Sequence, residues 1–195
     1  MGRLDPVTRS SHQPADYDCP FCLLQRGVAD EHNQQSDIVA TTDLALARVS
    51  PKWWPANPGA ALVIPREHHE NLYDLPRATG HAVWDLVQEV AVAMRTAYAC
   101  DGISIRQHNE PAGGQDVWHL HVHVFPRHGG DRLYERDLEA RWVAADERAR
   151  YARALAAELD RLRDHPFGRG ITSRSTPDEL RPPPPRPAGR RSPAR

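Results

Sequence analysis

The sequence predicts an α+β domain built from an antiparallel sheet of about five strands and two main helices. Short apolar runs bounded by Gly, Pro, Asn and Asp indicate the strands. Two longer segments repeat apolar residues at intervals of three and four, which is typical of amphipathic helices. The 195-residue chain can hold one such domain. We expect a flexible arm over residues 1–16, the domain over 17–164 and a disordered Pro/Arg-rich tail over 165–195.

The strands follow from apolar runs and the turns between them. The uninterrupted apolar run at 60–64 is typical of a central strand buried on both faces. The last two predicted strands flank a turn at 110–114, so we expect them to pair as a hairpin. The predicted strands cover residues 38–41, 44–49, 60–64, 102–109 and 117–125.

The helices follow from apolar periodicity and from their end signals. Pro76 is a favourable first helical residue, and apolar residues then recur at three and four as far as Ala97. A second helical pattern covers 138–163, with Tyr151, Leu155 and Leu159 on one face and charges on the other. A short helix is also predicted at 23–27.

Composition limits the partners of this protein. The formal net charge of -1 gives no overall attraction to nucleic acid or to an acidic membrane, so any such partner would need a local patch. We expect no membrane partner and find no strong signal for nucleic acid. The sequence has no apolar run of about 18 residues and no hydrophobic export signal near its N-terminus. We therefore expect a cytoplasmic protein.

Three histidines alternate with apolar residues in the segment 118–127. Side chains along a strand point alternately to opposite faces, so His119, His121 and His123 are predicted to share one face. Three interpretations are open. The histidines could form an exposed polar face, two of them could chelate a metal ion, or one could act as a nucleophile toward phosphorus, because a neutral imidazole attacks phosphorus readily.

Two cysteines are separated by two residues in Cys19-Pro20-Phe21-Cys22. In a reducing compartment this spacing indicates either a metal site or a redox-active dithiol. Cys100 lies in an apolar helical pattern and is predicted to be a buried packing residue.

Three segments together resemble the histidine triad family of nucleotide hydrolases and transferases. The longest runs from Asn109 through Gly113-Gly114-Gln115 and the three histidines to Arg127. The second is the stretch from Leu62 to His68, followed by Asn71-Leu72, and the third is the cysteine pair, which resembles that of zinc-bearing bacterial members. The combination is highly specific, whereas each motif alone is not.

The resemblance implies a catalytic mechanism and a set of site residues. The middle histidine, His121, would attack the α-phosphorus of a nucleotide conjugate, and water would then cleave the nucleotidyl-histidine to release a nucleoside monophosphate. His123 would assist, and His123, Gln115 and Asn109 occupy the family's phosphate-contacting positions. Amides that bracket a turn often only hydrogen-bond the backbone, which is the alternative for Asn109 and Gln115.

The resemblance also implies a structural zinc ion and a homodimer. Cys19 and Cys22 would supply two thiolates, and His68 and His119 match the positions of the two remaining ligands. If His119 binds zinc, it is lost as an acid or base. A redox dithiol remains the alternative for the cysteine pair.

At three positions the chain departs from the family pattern. Ala60 stands where members usually carry a further histidine. Arg48 stands where many members bind the ribose hydroxyls; a guanidinium cannot accept their hydrogen bonds, so we expect Arg48 to contact an additional anionic group of the substrate unless it is a surface residue. Asp116 replaces a small hydroxyl residue common in members that cleave phosphoramidates, which argues against that activity.

The function predicted from the sequence is therefore hydrolysis at a nucleotide α-phosphate. The nearest alternative is a nucleotidyltransferase of the phosphorylase type, in which phosphate rather than water attacks the intermediate. Alternatives of other classes are a metal-dependent hydrolase that uses the triad as ligands, and a nucleotide-binding regulatory protein without turnover.

Overall fold

A computed structural model describes residues 11–136 and 139–164, together with Leu180. The strands are β1 (Ile38–Thr41), β2 (Ala45–Val49), β3 (Lys52–Trp53), β4 (Ala61–Pro65), β5 (Gly102–Gln107), β6 (Val122–Arg127) and β7 (Arg141–Trp142), and the helices are α1 (Pro20–Gln25), α2 (Arg77–Ala97) and α3 (Ala145–Asp164). Five strands form an antiparallel sheet in the order β1-β2-β4-β6-β5, and β3 pairs separately with β7. This confirms the predicted α+β fold.

The two faces of the sheet are covered differently. Strand alternation sends Val63, Val122 and Val124 toward α2 and α3, where they join the main apolar core. On the opposite face Leu62 and Ile64 pack with the segment that carries α1. Because β4 is buried along its whole length, it is the central strand that the apolar run predicted.

The short helix predicted at 23–27 lies at Pro20–Gln25 instead. Two further predicted boundaries are wrong by several residues, for reasons that lie outside the local sequence. Strand β6 begins at Val122 rather than at residue 117, because the Leu120 amide donates to the His69 carbonyl at 2.6 Å instead of joining the ladder. Helix α3 begins at Ala145 rather than at 138, because Arg141 and Trp142 pair with β3. Asp146 and Glu147 then favour a helix start through its dipole.

The arm and the tail were predicted to be unstructured. The first ten residues and nearly all of 165–195 lie outside the described residues, so those parts of the prediction are not tested. Residues 11–16 do contact the domain: the His12 amide donates to Glu70 at 2.7 Å, and Gln13 bonds His68. Leu180 packs against the main core. No helix among the described residues is long and apolar enough to cross a membrane.

A fully buried ionic cluster joins α3 to the sheet. The Asp37 carboxylate, just before β1, accepts hydrogen bonds from Arg48 of β2 at 3.0 Å and from Arg148 of α3 at 2.8 and 2.9 Å. All three side chains are 0% exposed. Asn33 and backbone carbonyls accept further hydrogen bonds from the two guanidinium groups. Burial lowers the pKa of Arg48 to about 10, which the charge of Asp37 opposes, so Arg48 stays charged at neutral pH.

We expect Asp37→Ala to lower the free energy of unfolding by about 3–5 kcal/mol, because two buried guanidinium groups would lose their counter-charge. Chemical denaturation at neutral pH measures this. The matched control is Asp160→Ala on the exposed side of α3, which should change stability by less than about 0.5 kcal/mol. A loss below about 1 kcal/mol for Asp37→Ala would show that the cluster does not hold α3 to the sheet.

Candidate active site and metal centre

His121 is buried immediately before β6, and one hydrogen bond fixes its tautomer. Its Nδ1 lies 2.8 Å from the His119 backbone carbonyl, which can only accept, so the proton is on Nδ1 and the lone pair is on Nε2. Burial lowers the pKa of His121, although that hydrogen bond and Asp116 oppose the shift. The ring is therefore neutral at pH 7 and has one bare nitrogen, as a nucleophile requires.

Aromatic contacts hold the histidine rings in place. Phe21 of α1 meets His121 edge-on, with ring centroids 5.5 Å apart, and meets His119 at 5.7 Å. The His123 ring lies 4.9 Å from that of His121 and stacks on Phe125. His121 lies just before β6 and His123 lies within it, and their rings therefore share one face of the sheet.

The surroundings of His123 are positively charged. The pKa of His123 lies well below its usual value, first because of burial and then because of His121, His108, Arg106 and Lys52. Arg106 of β5 is directly opposite His123 in the sheet, and its guanidinium lies 4.8 Å from the centre of the Phe125 ring. Arg106 was not among the site residues predicted from the sequence, because the predicted hairpin gave no register between β5 and β6.

Gln115 and Asn109, the two amide residues predicted to contact phosphate, both hydrogen-bond other groups of the protein. The Gln115 amide nitrogen donates to the carbonyls of Glu70 and Val117 at 2.6 and 2.9 Å, and its oxygen accepts from the Glu110 amide at 2.8 Å. Gln115 therefore braces the loop, and its contact with phosphate stays a prediction. Asn109 bonds the Leu72 amide and the Gln107 side chain, and its phosphate contact stays a prediction.

The prediction that Arg48 contacts substrate is not upheld. Its guanidinium is wholly buried in the ionic cluster with Asp37 and Arg148. The sequence could not reveal this, because Arg148 is distant in the chain. Ala60 packs in the main core. Asp116 does lie at the site: its carboxylate is 3.9 Å from Nε2 of His121.

The four predicted metal ligands converge beside the histidine strand. One turn of helix separates Cys19 from Cys22, so both thiols lie on one side of α1. One potential ligand atom from each of Cys19, Cys22, His68 and His119 lies within 4.8 Å of every other. The Cys19 sulfur is 3.3 Å from His119 Nδ1, and the Cys22 sulfur is 3.4 Å from His68 Nδ1.

Hydrogen bonds orient both imidazoles toward this centre. His119 donates through Nε2 to the Pro65 carbonyl at 3.0 Å, and His68 bonds Gln13 Oε1 through Nε2 at 2.8 Å. Both Nδ1 atoms are thereby left as ligands, an arrangement typical of metal-binding histidines. Nothing in the sequence indicated the contribution of Gln13.

The electrostatics of the cluster suit a bound cation. Burial and the neighbouring Cys19 raise the pKa of the Cys22 thiol to about 11, and burial lowers the pKa of His119 to about 3 despite its bond to Pro65. Neutral imidazoles are ready to coordinate, whereas two adjacent thiolates at neutral pH need a positive ion between them. Two sulfur and two nitrogen donors form the closed tetrahedral set that structural zinc prefers.

The chain is similar to named relatives and to solved structures. It is 30% identical to a bis(5'-adenosyl)-triphosphatase of Dictyostelium discoideum over 55% of this chain and 76% of that one. It is 29% identical to a bifunctional bis(5'-adenosyl)-triphosphatase/adenylylsulfatase of Arabidopsis thaliana over 66% of this chain and 67% of that one. A zinc-bound histidine triad family protein from Mycobacterium smegmatis has a TM-score of 0.63 and 29% identity, covering 75% and 96%. This similarity and the two sulfur and two nitrogen donors of the cluster both indicate that it suits zinc.

We expect the purified protein to hold zinc, and Cys19→Ser to lose it, because a hydroxyl is a poor zinc ligand. Metal analysis after dialysis measures this. The matched control is Cys100→Ser, since Cys100 is buried against α2, where its thiol contacts the Met94 carbonyl, and that variant should keep its zinc. Unchanged zinc in Cys19→Ser would contradict the assignment and favour a redox role for the pair.

The family is also shown by a direct match to a family model. The model described as HIT domain, the histidine triad domain, matches residues 31–130. This range includes the central strand β4, the loop with His68, and all three histidines of the 118–127 segment. It begins after the cysteine pair, so the zinc centre combines residues inside and outside the match. The chain therefore belongs to the histidine triad family.

Proposed function

We propose that the protein hydrolyses a nucleotide conjugate at its α-phosphorus, with His121 as the nucleophile. The observation that carries this proposal is the fixed tautomer of His121, whose bare Nε2 results from the bond between Nδ1 and the His119 carbonyl. The activities named for relatives, bis(5'-adenosyl)-triphosphatase and adenylylsulfatase, also support cleavage at a nucleotide phosphate. Substrates that pair an adenylyl group with phosphate or sulfate are the first to test.

The first half-reaction transfers the nucleotidyl group to the enzyme. The Nε2 lone pair of His121 forms a bond to phosphorus, and the bond from phosphorus to the leaving oxygen breaks with its electron pair. The ring becomes positively charged, which strengthens the bond from its Nδ1–H to the His119 carbonyl. His123 is neutral and can donate one hydrogen bond, while Arg106 and Lys52 supply positive charge beside it.

The second half-reaction returns the enzyme to its starting state. Water attacks phosphorus, the bond between phosphorus and Nε2 breaks, and a nucleoside monophosphate leaves. If phosphate attacked instead, the same site would act as a phosphorylase. We favour hydrolysis because the two relatives named above carry hydrolase names.

Zinc in this proposal is structural. A site with four protein ligands has no open position for substrate, which argues against the metal-dependent hydrolase. When bound, the ion ties α1 to the residues just before β6. His119 thus has two roles: its side chain is a ligand, and its carbonyl orients His121. The homodimer expected from the resemblance and the cytoplasmic location expected from the sequence are carried with this proposal.

We expect His121→Ala to reduce release of nucleoside monophosphate from diadenosine triphosphate or adenosine 5'-phosphosulfate by about 10⁴-fold or more, because the nucleophile is removed. His123→Ala should cost about 10²–10³-fold through lost stabilisation of phosphoryl charge. The control is His81→Ala on an exposed turn of α2, which should retain full activity. Chromatography of the products measures all three rates.

Alkaline quenching followed by mass spectrometry should detect the nucleotidyl adduct on His121 in the parent. If His121→Ala keeps more than about a tenth of the activity, the nucleophile is assigned wrongly. Turnover that requires added phosphate would identify a phosphorylase. Tight nucleotide binding without product across both substrates would identify a regulatory binding protein.

A further inference from the structure

The side chain of Asp116 lies at the open side of the buried nucleophile. Its Oδ1 is 3.9 Å from Nε2 of His121, and the exposed fractions of the two side chains are 74% and 4%. The nitrogen that would bond phosphorus therefore faces a carboxylate in contact with solvent. Neither half-reaction described above has used this carboxylate.

The loop that carries Asp116 is anchored. The neighbouring Gln115 amide donates to the Glu70 and Val117 carbonyls and accepts from the Glu110 amide. On the other side, the Trp118 amide donates to the Tyr17 hydroxyl at 3.1 Å. Asp116 is thus held near Nε2 by bonds on both sides, although its own side chain can rotate in solvent.

The negative charge of this carboxylate indicates which half-reaction it can assist. It repels an incoming phosphate, whereas the cations near His123 attract it. An ionised carboxylate has no proton to give to a leaving group, but it accepts one from water. Phosphate and sulfate leave as anions, so formation of the intermediate from such substrates needs no acid. Breakdown of the nucleotidyl-histidine intermediate by water does need a base, which accepts the proton of that water.

We propose that Asp116 is the general base that activates water in the second half-reaction, an inference that rests on the function proposed above. The water proton passes to Asp116 as the water oxygen bonds to phosphorus. The bond between phosphorus and Nε2 breaks, and its electron pair returns to the nitrogen. Since the side chain is mostly exposed, Asp116 then releases the proton directly to solvent. Asp116 is in this sense a catalytic residue.

Rapid chemical quench with adenosine 5'-phosphosulfate separates the two half-reactions. For Asp116→Asn, which keeps the shape and removes the base, we expect steady-state turnover to fall about 100-fold. Formation of the adduct should stay within about threefold of the parent rate, so the adduct should accumulate to nearly one per site. Asp85→Asn, on an exposed turn of α2, is the matched control and should match the parent in both steps.

A second measurement separates base catalysis from a structural role. Added formate should accelerate adduct breakdown in Asp116→Ala, because a small carboxylate can occupy the space that the truncation opens. It should have no such effect on the parent or on Asp85→Asn. A carboxylate that only braced the loop would give no rescue.

Three outcomes would overturn the inference. If Asp116→Asn breaks down the adduct at the parent rate, Asp116 is not the base, while the proposed function stands. If the variant instead forms the adduct slowly and breaks it down normally, Asp116 serves as a counter-ion in the first step. If the parent itself yields neither adduct nor nucleoside monophosphate from this substrate or from diadenosine triphosphate, both proposals fail together.

Discussion

The hydrogen bond from His121 Nδ1 to the His119 carbonyl is the contact on which the whole site depends. It determines which ring nitrogen is bare, and a backbone carbonyl can do so because it has no proton of its own. Two further hydrogen bonds hold the backbone of His119, and therefore its carbonyl, in place. The His119 ring donates to the Pro65 carbonyl, and the next amide donates to His69. The same backbone segment therefore positions both the metal centre and the candidate nucleophile.

Charge divides this site into two regions. Around His123 lie Arg106 and Lys52, whose positive charge suits phosphoryl oxygens. Beside His121 lies the exposed carboxylate of Asp116. One anion and two cations at this site are consistent with the two proposed steps. The first moves negative charge onto phosphoryl and leaving oxygens, and the second removes a proton from water.

Local sequence patterns were enough to predict the fold but not the contacts that every residue makes. The apolar run of β4 and the periodicity of α2 predicted those elements because burial alone determines them. The start of β6 was placed too early because the bond between Leu120 and His69 is not local. Arg48 was assigned to substrate because the sequence does not show that Asp37 and Arg148 meet it in the core. The metal ligands came from a family resemblance, whereas Gln13 and Arg106 required the structure.

The most direct test of this account is the protonation state of the His121 ring in the resting protein. Long-range ¹H–¹⁵N NMR correlations at neutral pH, assigned with His121→Ala, report which ring nitrogen carries the proton. The account predicts a neutral ring with the proton on Nδ1 and a bare Nε2. A proton on Nε2, or a doubly protonated ring at pH 7, would contradict the claim that the His119 carbonyl prepares His121 to attack phosphorus.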